Sequence, residues 1–265
     1  AYDRTRDEHM RRQYRLVTDV TAAIERNEFY LVFQSRVKLD SGRIEGCEVL
    51  LRWHLPLLGE LFPAEFIPIV ARTTLMCSLT DWIIDRTCRQ SHLWRTAGID
   101  LSLSINVTAA DFKDQTLPSR VLSACQRHAI PPSALELEIV EGEWLKDTVS
   151  VIKQIQTLRA AGVTIAIDDF GVGYSNFSYL YKIPFDTLKV DRALVQGFLA
   201  NRRQRTMLRG IIRLGHQLGF NVVAEGVETA EEHQGLRRLG CSEAQGYFYA
   251  APLEPEDYAE LCRQQ

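Results

Sequence analysis

The sequence predicts an α/β fold, specifically a barrel of the (β/α)8 type. Three observations carry that prediction. From residue 101 onward, strand-like runs alternate regularly with helical stretches, the signature of βαβ units and a parallel sheet. About eight strand-like runs can be counted in all. The length of 265 residues suits a barrel formed as one unit.

The elements follow in order. Residues 4–27 read as one helix, with Leu16, Val20 and Ile24 recurring at a spacing of four and charges between them. Its polar early turns suggest a connector, so residues 1–28 are expected to form an N-terminal connector helix and residues 29–265 the barrel domain. Because the chain opens within a helical pattern, it is expected to be a domain of something longer. FYLVFQSRVKL and IEGCEVLLRW are strand candidates separated by DSG, a hairpin signal. That hairpin departs from an all-parallel barrel, because hairpin strands run antiparallel. A helix follows around 79–96. Strands at 101–107, 134–140, 163–169, 186–191, 221–227 and 243–249 then alternate with helices at 117–129, 147–161, 202–218, 229–238 and 255–262. Gly162, Gly219 and Gly240 stand where three of those helices should stop.

Composition narrows the function. Hydrophobic residues make up 46% of the chain and charged residues 25%, which fits an ordinary globular domain. The net charge of −3 gives no basic field for duplex nucleic acid. The six cysteines form no CxxC pair and no zinc-finger spacing, so they read as reduced thiols, many packed as small hydrophobes. No apolar run reaches the roughly 18 residues of a membrane span, and no signal peptide is expected at the start.

Polar groups recur where a parallel barrel carries its chemistry, at the C-terminal ends of strands. Successive strand candidates carry Glu48, Asn106, Glu138, Asp168 with Asp169, Lys189, Glu225 and Gln245. A single buried Asn or Glu is commonly a structural hydrogen-bonder, but seven consecutive strands with such a residue call for a shared role. Carboxylates and an amide oxygen are hard ligands suited to Mg2+ or Mn2+, and the histidines fall mainly elsewhere. The adjacent Asp168 and Asp169 repel each other, and a pair of divalent ions would neutralise them. Lys189, between Leu188 and Val190, should point inward; its structural alternative is an ion pair. Arg52 could grip a phosphate, with a surface salt bridge as its plainer reading.

Several segments together resemble the EAL domain, a bacterial phosphodiesterase of cyclic di-GMP. They are EVLLR (48–52), INVT (105–108), LELEIVE (135–141), DDFGVGYSN (168–176), LKVDR (188–192), VVAEGVE (222–228) and GCSEAQGY (240–247). The resemblance implies a modified TIM-type barrel whose first strand is antiparallel. It implies Glu48, Asn106, Glu138 and Asp168 as ligands of a first metal, with Asp168 bridging to a second that Asp169 also holds. Lys189 would hold or help activate the attacking water, and Glu225 would act as general base. Gln245 would hydrogen-bond near the metals, Gln34 and Arg52 would contact substrate, and Glu141 and Glu228 would hold the central loop. The implied reaction is in-line attack of water on one phosphorus, departure of the 3′ oxygen and release of linear 5′-pGpG.

The sequence departs from the family pattern at Ser35, Val49, Leu55, Ala71, Arg72, Val140, Val172 and Asn176, none of which is an implied metal ligand. The alternatives are a non-catalytic cyclic di-GMP receptor and a protein-interaction module. The resemblance further implies a homodimer, an upstream sensor or GGDEF domain, and a location on the cytosolic side, with membrane anchoring of the full-length protein left open.

Overall fold

The computed structural model describes residues 20–55, 59–113, 115–140, 148–171, 180 and 183–265. Most of the expected connector helix, along with Glu141, Val172 and Asn176, lies outside the described residues. Of the connector, residues 20–25 are helical, and Val20 and Ala23 are buried against the rest of the molecule.

Among the described residues, nine strands form one sheet: β1 (Phe29–Lys38), β2 (Ile44–Leu55), β3 (Gly59–Leu61), β4 (Ser102–Val107), β5 (Leu135–Val140), β6 (Thr164–Phe170), β7 (Thr187–Val190), β8 (Asn221–Ala224) and β9 (Glu243–Gln245). The order β1-β9-β8-β7-β6-β5-β4-β2 closes on itself through β1–β2, making an eight-stranded barrel, and β3 extends β2 outside the ring. β1 is antiparallel to both of its neighbours, whereas the pairs β2–β4 through β8–β9 are parallel. The predicted fold class is therefore the observed one. The β1–β2 register places Phe29 opposite Trp53 and Gln34 opposite Glu48.

Side chains alternate across each strand, so each strand offers one face to the helices and one to the barrel interior. Leu135, Leu137 and Ile139 of β5, and Leu188 and Val190 of β7, belong to the apolar core. On the helix side, Gly215 of the helix Arg202–Gln217 lets Leu188 and Val222 approach so closely that a Cβ there would lie 2.6 Å from Val222. Among the described residues, the apolar core thus lies largely in the shell between sheet and helices, while polar residues fill the interior positions. The helices expected from periodicity appear at Leu75–Thr96, Leu117–Arg127, Thr148–Ala160, Arg202–Gln217, Ala230–Leu239 and Pro255–Arg263. Gly240 ends its helix in the left-handed conformation, φ 81°. All six cysteines are free.

Two strands stop earlier than the sequence suggests. β8 ends at Ala224 and β9 at Gln245 because the chain turns at Gly226 (φ 68°) and Gly246 (φ 154°). A Cβ on Gly246 would lie 2.2 Å from the carbonyl oxygen of Val227, so only glycine fits. The crossing is pinned by Val227 N–H donating to the Gln245 carbonyl at 3.1 Å.

Candidate active site

Barrel closure brings the predicted strand-end residues to one mouth around Lys189. This lysine is fully buried, and its Nζ lies 2.7 Å from Glu138, 2.8 Å from Glu225, 3.1 Å from Asp168 and 3.3 Å from Glu48. Asn106 donates to Glu48 Oε1 at 2.9 Å. Gln245 donates to Glu48 Oε2 and, at 3.4 Å, to Glu225. Gln34, on the antiparallel strand, lines the same cleft of about 360 Å³ together with Asp168, Asp169, Glu225, Glu228 and Tyr247. A larger depression of about 670 Å³, lined by Arg43, Asp100 and Arg263, lacks this convergence of carboxylates.

Consecutive strand residues point to opposite faces, so Asp168 and Asp169 should not both reach the mouth. Two local features bring them there. The β6–β7 register shifts between Ile167 and Phe170, and Asp169 adopts a left-handed φ of 55°. Aspartate tolerates that conformation better than most residues, and register breaks of this kind recur beside functional sites. As a result, carboxylate oxygens of Asp168, Asp169 and Glu225 lie within 4.8 Å of one another.

The electrostatics follow from crowding four carboxylates on one ammonium. Burial disfavours the Lys189 charge, but Asp168, Glu138, Glu225 and Glu48 outweigh it and hold the lysine well above its usual range. Burial also opposes ionisation of Glu48, yet Lys189 and donation from Gln245 and Asn106 keep its carboxyl below the usual value. Glu138 goes the other way: burial raises it and, together with repulsion from Glu48 and Asp168, outweighs the attraction of Lys189. Burial pushes Glu225 up to about 8, assisted by Asp168 and Glu48. Asp169 is pushed up to about 6, first by loss of hydration and then by Asp168 and Asp191. One lysine therefore cannot neutralise this site, and further positive charge is called for.

The residues present fit a hard divalent cation. Glu138 Oε1 is buried and has no hydrogen-bond partner, and the neighbouring donors are carboxylate and amide oxygens. Of the other predicted site residues, Glu228 lies at the cleft wall, where it accepts from Gln196 at 2.8 Å. Arg52 sits away from the carboxylate cluster; its Nε is 3.3 Å from Glu60 and its guanidinium lies 5.0 Å from the Phe62 ring centroid. The salt-bridge reading thus describes its present partner.

A second charged layer went unread in the sequence. One pleat below the site, Arg36 pairs with Glu136 and, at 2.7 Å, with Glu243. Strand parity was the available signal, because Glu136 and Glu138, like Thr187 and Lys189, share a face.

Comparison with known proteins agrees with this architecture. The sequence profile of the EAL domain matches residues 17–252. Cyclic di-GMP phosphodiesterase PA2567 of Pseudomonas aeruginosa is 37% identical over 99% of this chain, which spans 45% of that protein. The bifunctional diguanylate cyclase/cyclic di-GMP phosphodiesterase MucR of the same species is 36% identical over 92% of this chain and 36% of its own length. The chain thus spans less than half of these two relatives. Among solved structures, the PaMucR phosphodiesterase in complex with c-di-GMP superposes with a TM-score of 0.86 at 35% identity, covering 92% of this chain and 99% of that one. The EAL enzyme Bd1971, in a form bound to cAMP and cyclic di-GMP, gives 0.90 at 29% identity over 96% of this chain and 70% of its own. The profile match begins before β1 and ends after β9, so it takes in every described strand that forms the mouth, and on that ground the protein belongs to the EAL domain family.

Proposed function

We propose that this domain hydrolyses cyclic di-GMP to linear 5′-pGpG in a reaction that depends on Mg2+ or Mn2+, with two ions. The observation that carries the reading is Lys189 outnumbered by four carboxylates at the mouth, with Glu138 Oε1 left unpartnered. Glu48, Asn106, Glu138, Asp168 and Asp169 would hold the ions. When bound, the ions would supply Lewis acidity, activation of a water and neutralisation of the phosphate.

The protein's own groups have separable tasks. Lys189 keeps Glu48, Asp168 and Glu225 oriented and holds the attacking water. Glu225, held 2.8 Å from the Lys189 ammonium, takes the proton. Gln245 fixes Glu48, and Gln34 meets the substrate at the cleft wall. Arg52 exchanges Glu60 for a phosphate oxygen. Glu141 and Glu228 would hold the loop that follows β6. The substrate assignment is supported by the cyclic di-GMP named for PA2567 and MucR and bound in the PaMucR structure.

The test is to incubate the purified domain with cyclic di-GMP and Mg2+, with and without EDTA, and to separate the products by HPLC. Metal-dependent pGpG is expected. Tight binding with intact substrate would refute catalysis and leave a receptor. In the full-length protein we expect a homodimer, an upstream sensor or GGDEF domain, and work on the cytosolic side. No described helix is long and apolar enough to cross a membrane.

A further inference from the structure

The lower layer of the barrel interior is built as carefully as the mouth. Glu136 is 2% exposed and is the hub: it pairs with Arg36 and accepts from Thr187 Oγ1 at 2.6 Å and Ser104 Oγ at 3.1 Å. Arg36 reaches on to Glu243, which accepts from Asn221 at 2.8 Å. The layer thereby joins β1, β4, β5, β7, β8 and β9. Room for the guanidinium is made by Gly46, directly opposite Arg36 on β2, where a Cβ would lie 3.1 Å from an Arg36 nitrogen and 2.7 Å from the Ser102 carbonyl.

Apart from Asn221, each member stands two residues from a residue of the site, on the same face of the same strand. Ser104 underlies Asn106, Glu136 underlies Glu138, Thr187 underlies Lys189, and Glu243 underlies Gln245. On β1, which runs the other way, Arg36 follows Gln34. A displacement of one lower member therefore tilts the strand end that carries its upper partner. Resting on the proposed metal site, we propose that Arg36 is a positioning residue: by bracing Glu136 and Glu243 from below, it fixes the spacing of Glu138, Lys189 and Gln245 around the ions. Supporting partners behind ligands commonly change metal affinity by about 10–100-fold when removed.

The test measures Mn2+ binding to the domain directly, from the free-ion EPR signal, beside thermal unfolding in EDTA. The variants are Arg36→Met and Thr187→Val. Arg36→Met is expected to weaken Mn2+ binding about 10–100-fold, and Thr187→Val to weaken it less, in the same direction. A merely structural role would lower the unfolding temperature and leave the Mn2+ affinity of the folded protein unmoved. If Arg36→Met folds and binds Mn2+ like the parent, the proposal is wrong. If it does not fold, Thr187→Val decides: weakened binding supports the proposal and parental binding overturns it. A parent domain that binds no Mn2+ overturns the metal-site reading and this inference together, whereas a binding parent with indistinguishable variants overturns this inference alone.

Discussion

Replacing Lys189 with Met removes the only ammonium in contact with Glu48, Glu138, Asp168 and Glu225 among the described residues. At an effective dielectric of about 20, a unit pair near 3 Å is worth roughly 5 kcal/mol, and desolvation of the ammonium cancels several kcal/mol of the combined attraction. Removing one partner from a buried ion pair costs about 3–5 kcal/mol, because the remaining charge is left without compensation. For a domain of this size that corresponds to a fall of roughly 10 °C in the unfolding midpoint. The loss should be large in EDTA at neutral pH and smaller in acid, where the carboxylates take up protons. Mg2+ should restore much of it, since divalent ions replace the missing positive charge, while hydrolysis stays lost. The assay is thermal and urea unfolding of parent and Lys189→Met, with EDTA and with Mg2+. A variant as stable as the parent in EDTA would refute the reasoning, because the four carboxylates would then have no need of a cation.

Three further outcomes are expected. Without metal, Glu225 sits near 8 and Asp169 near 6, both above their unfolded values, so the folded chain holds more protons than the unfolded one between about pH 4.5 and pH 8. Stability in EDTA should therefore fall as pH rises through that window, and Mg2+ should flatten the slope; Glu48 and Glu136, held low, act only on the acid side. Stability that climbs across the window would contradict the assignment. Asp169→Gly should relieve a left-handed backbone worth about 1 kcal/mol and one like-charge contact, raising metal-free stability in urea while abolishing hydrolysis; retained turnover would remove Asp169 from the chemistry. Gly246→Ala should cost about 2–3 kcal/mol in urea unfolding, because its Cβ has no space beside Val227, and parental stability would show that the crossing yields easily.

Most of the fold was legible because strand and helix periods alternate cleanly after residue 101 and glycines mark the helix ends. The hairpin signal at DSG correctly foretold that β1 opposes β2. The early ends of β8 and β9 were not legible, because the close approach of Gly246 to Val227 is a tertiary contact that no local pattern encodes. The short helix Pro63–Val70 carries Pro68 inside it, which masks its helical period. In the site, position at the strand ends pointed to Glu48, Glu138 and Asp168, and inward parity pointed to Lys189. Asp169 was named there too, but strand alternation alone would turn it away, and it reaches the mouth only through a register shift and a left-handed residue. The Arg36 layer was written in the same parity. It lies away from the strand ends, and a charged residue in the middle of a strand is commonly taken for an exposed one.

The reversed direction of β1 decides where the two ends of the domain emerge. Phe29 is level with Trp53, beyond Glu48, and the preceding Glu28 accepts from the Trp53 indole at 3.2 Å. β1 therefore starts at the rim that carries the carboxylate cluster, whereas the first strand of an all-parallel barrel starts at the opposite rim. At the other end, Gln265 accepts from the Ile44 amide at 2.8 Å, so the final helix finishes at the far rim, where β2 begins. β1 is thus entered beside the carboxylate cluster, and Gln265 lies at the opposite pole. A displacement of the chain at Phe29 would reach Gln34 within a few residues, with no need to cross the body of the barrel. The antiparallel strand makes the fold a lever with its short arm at the chemistry.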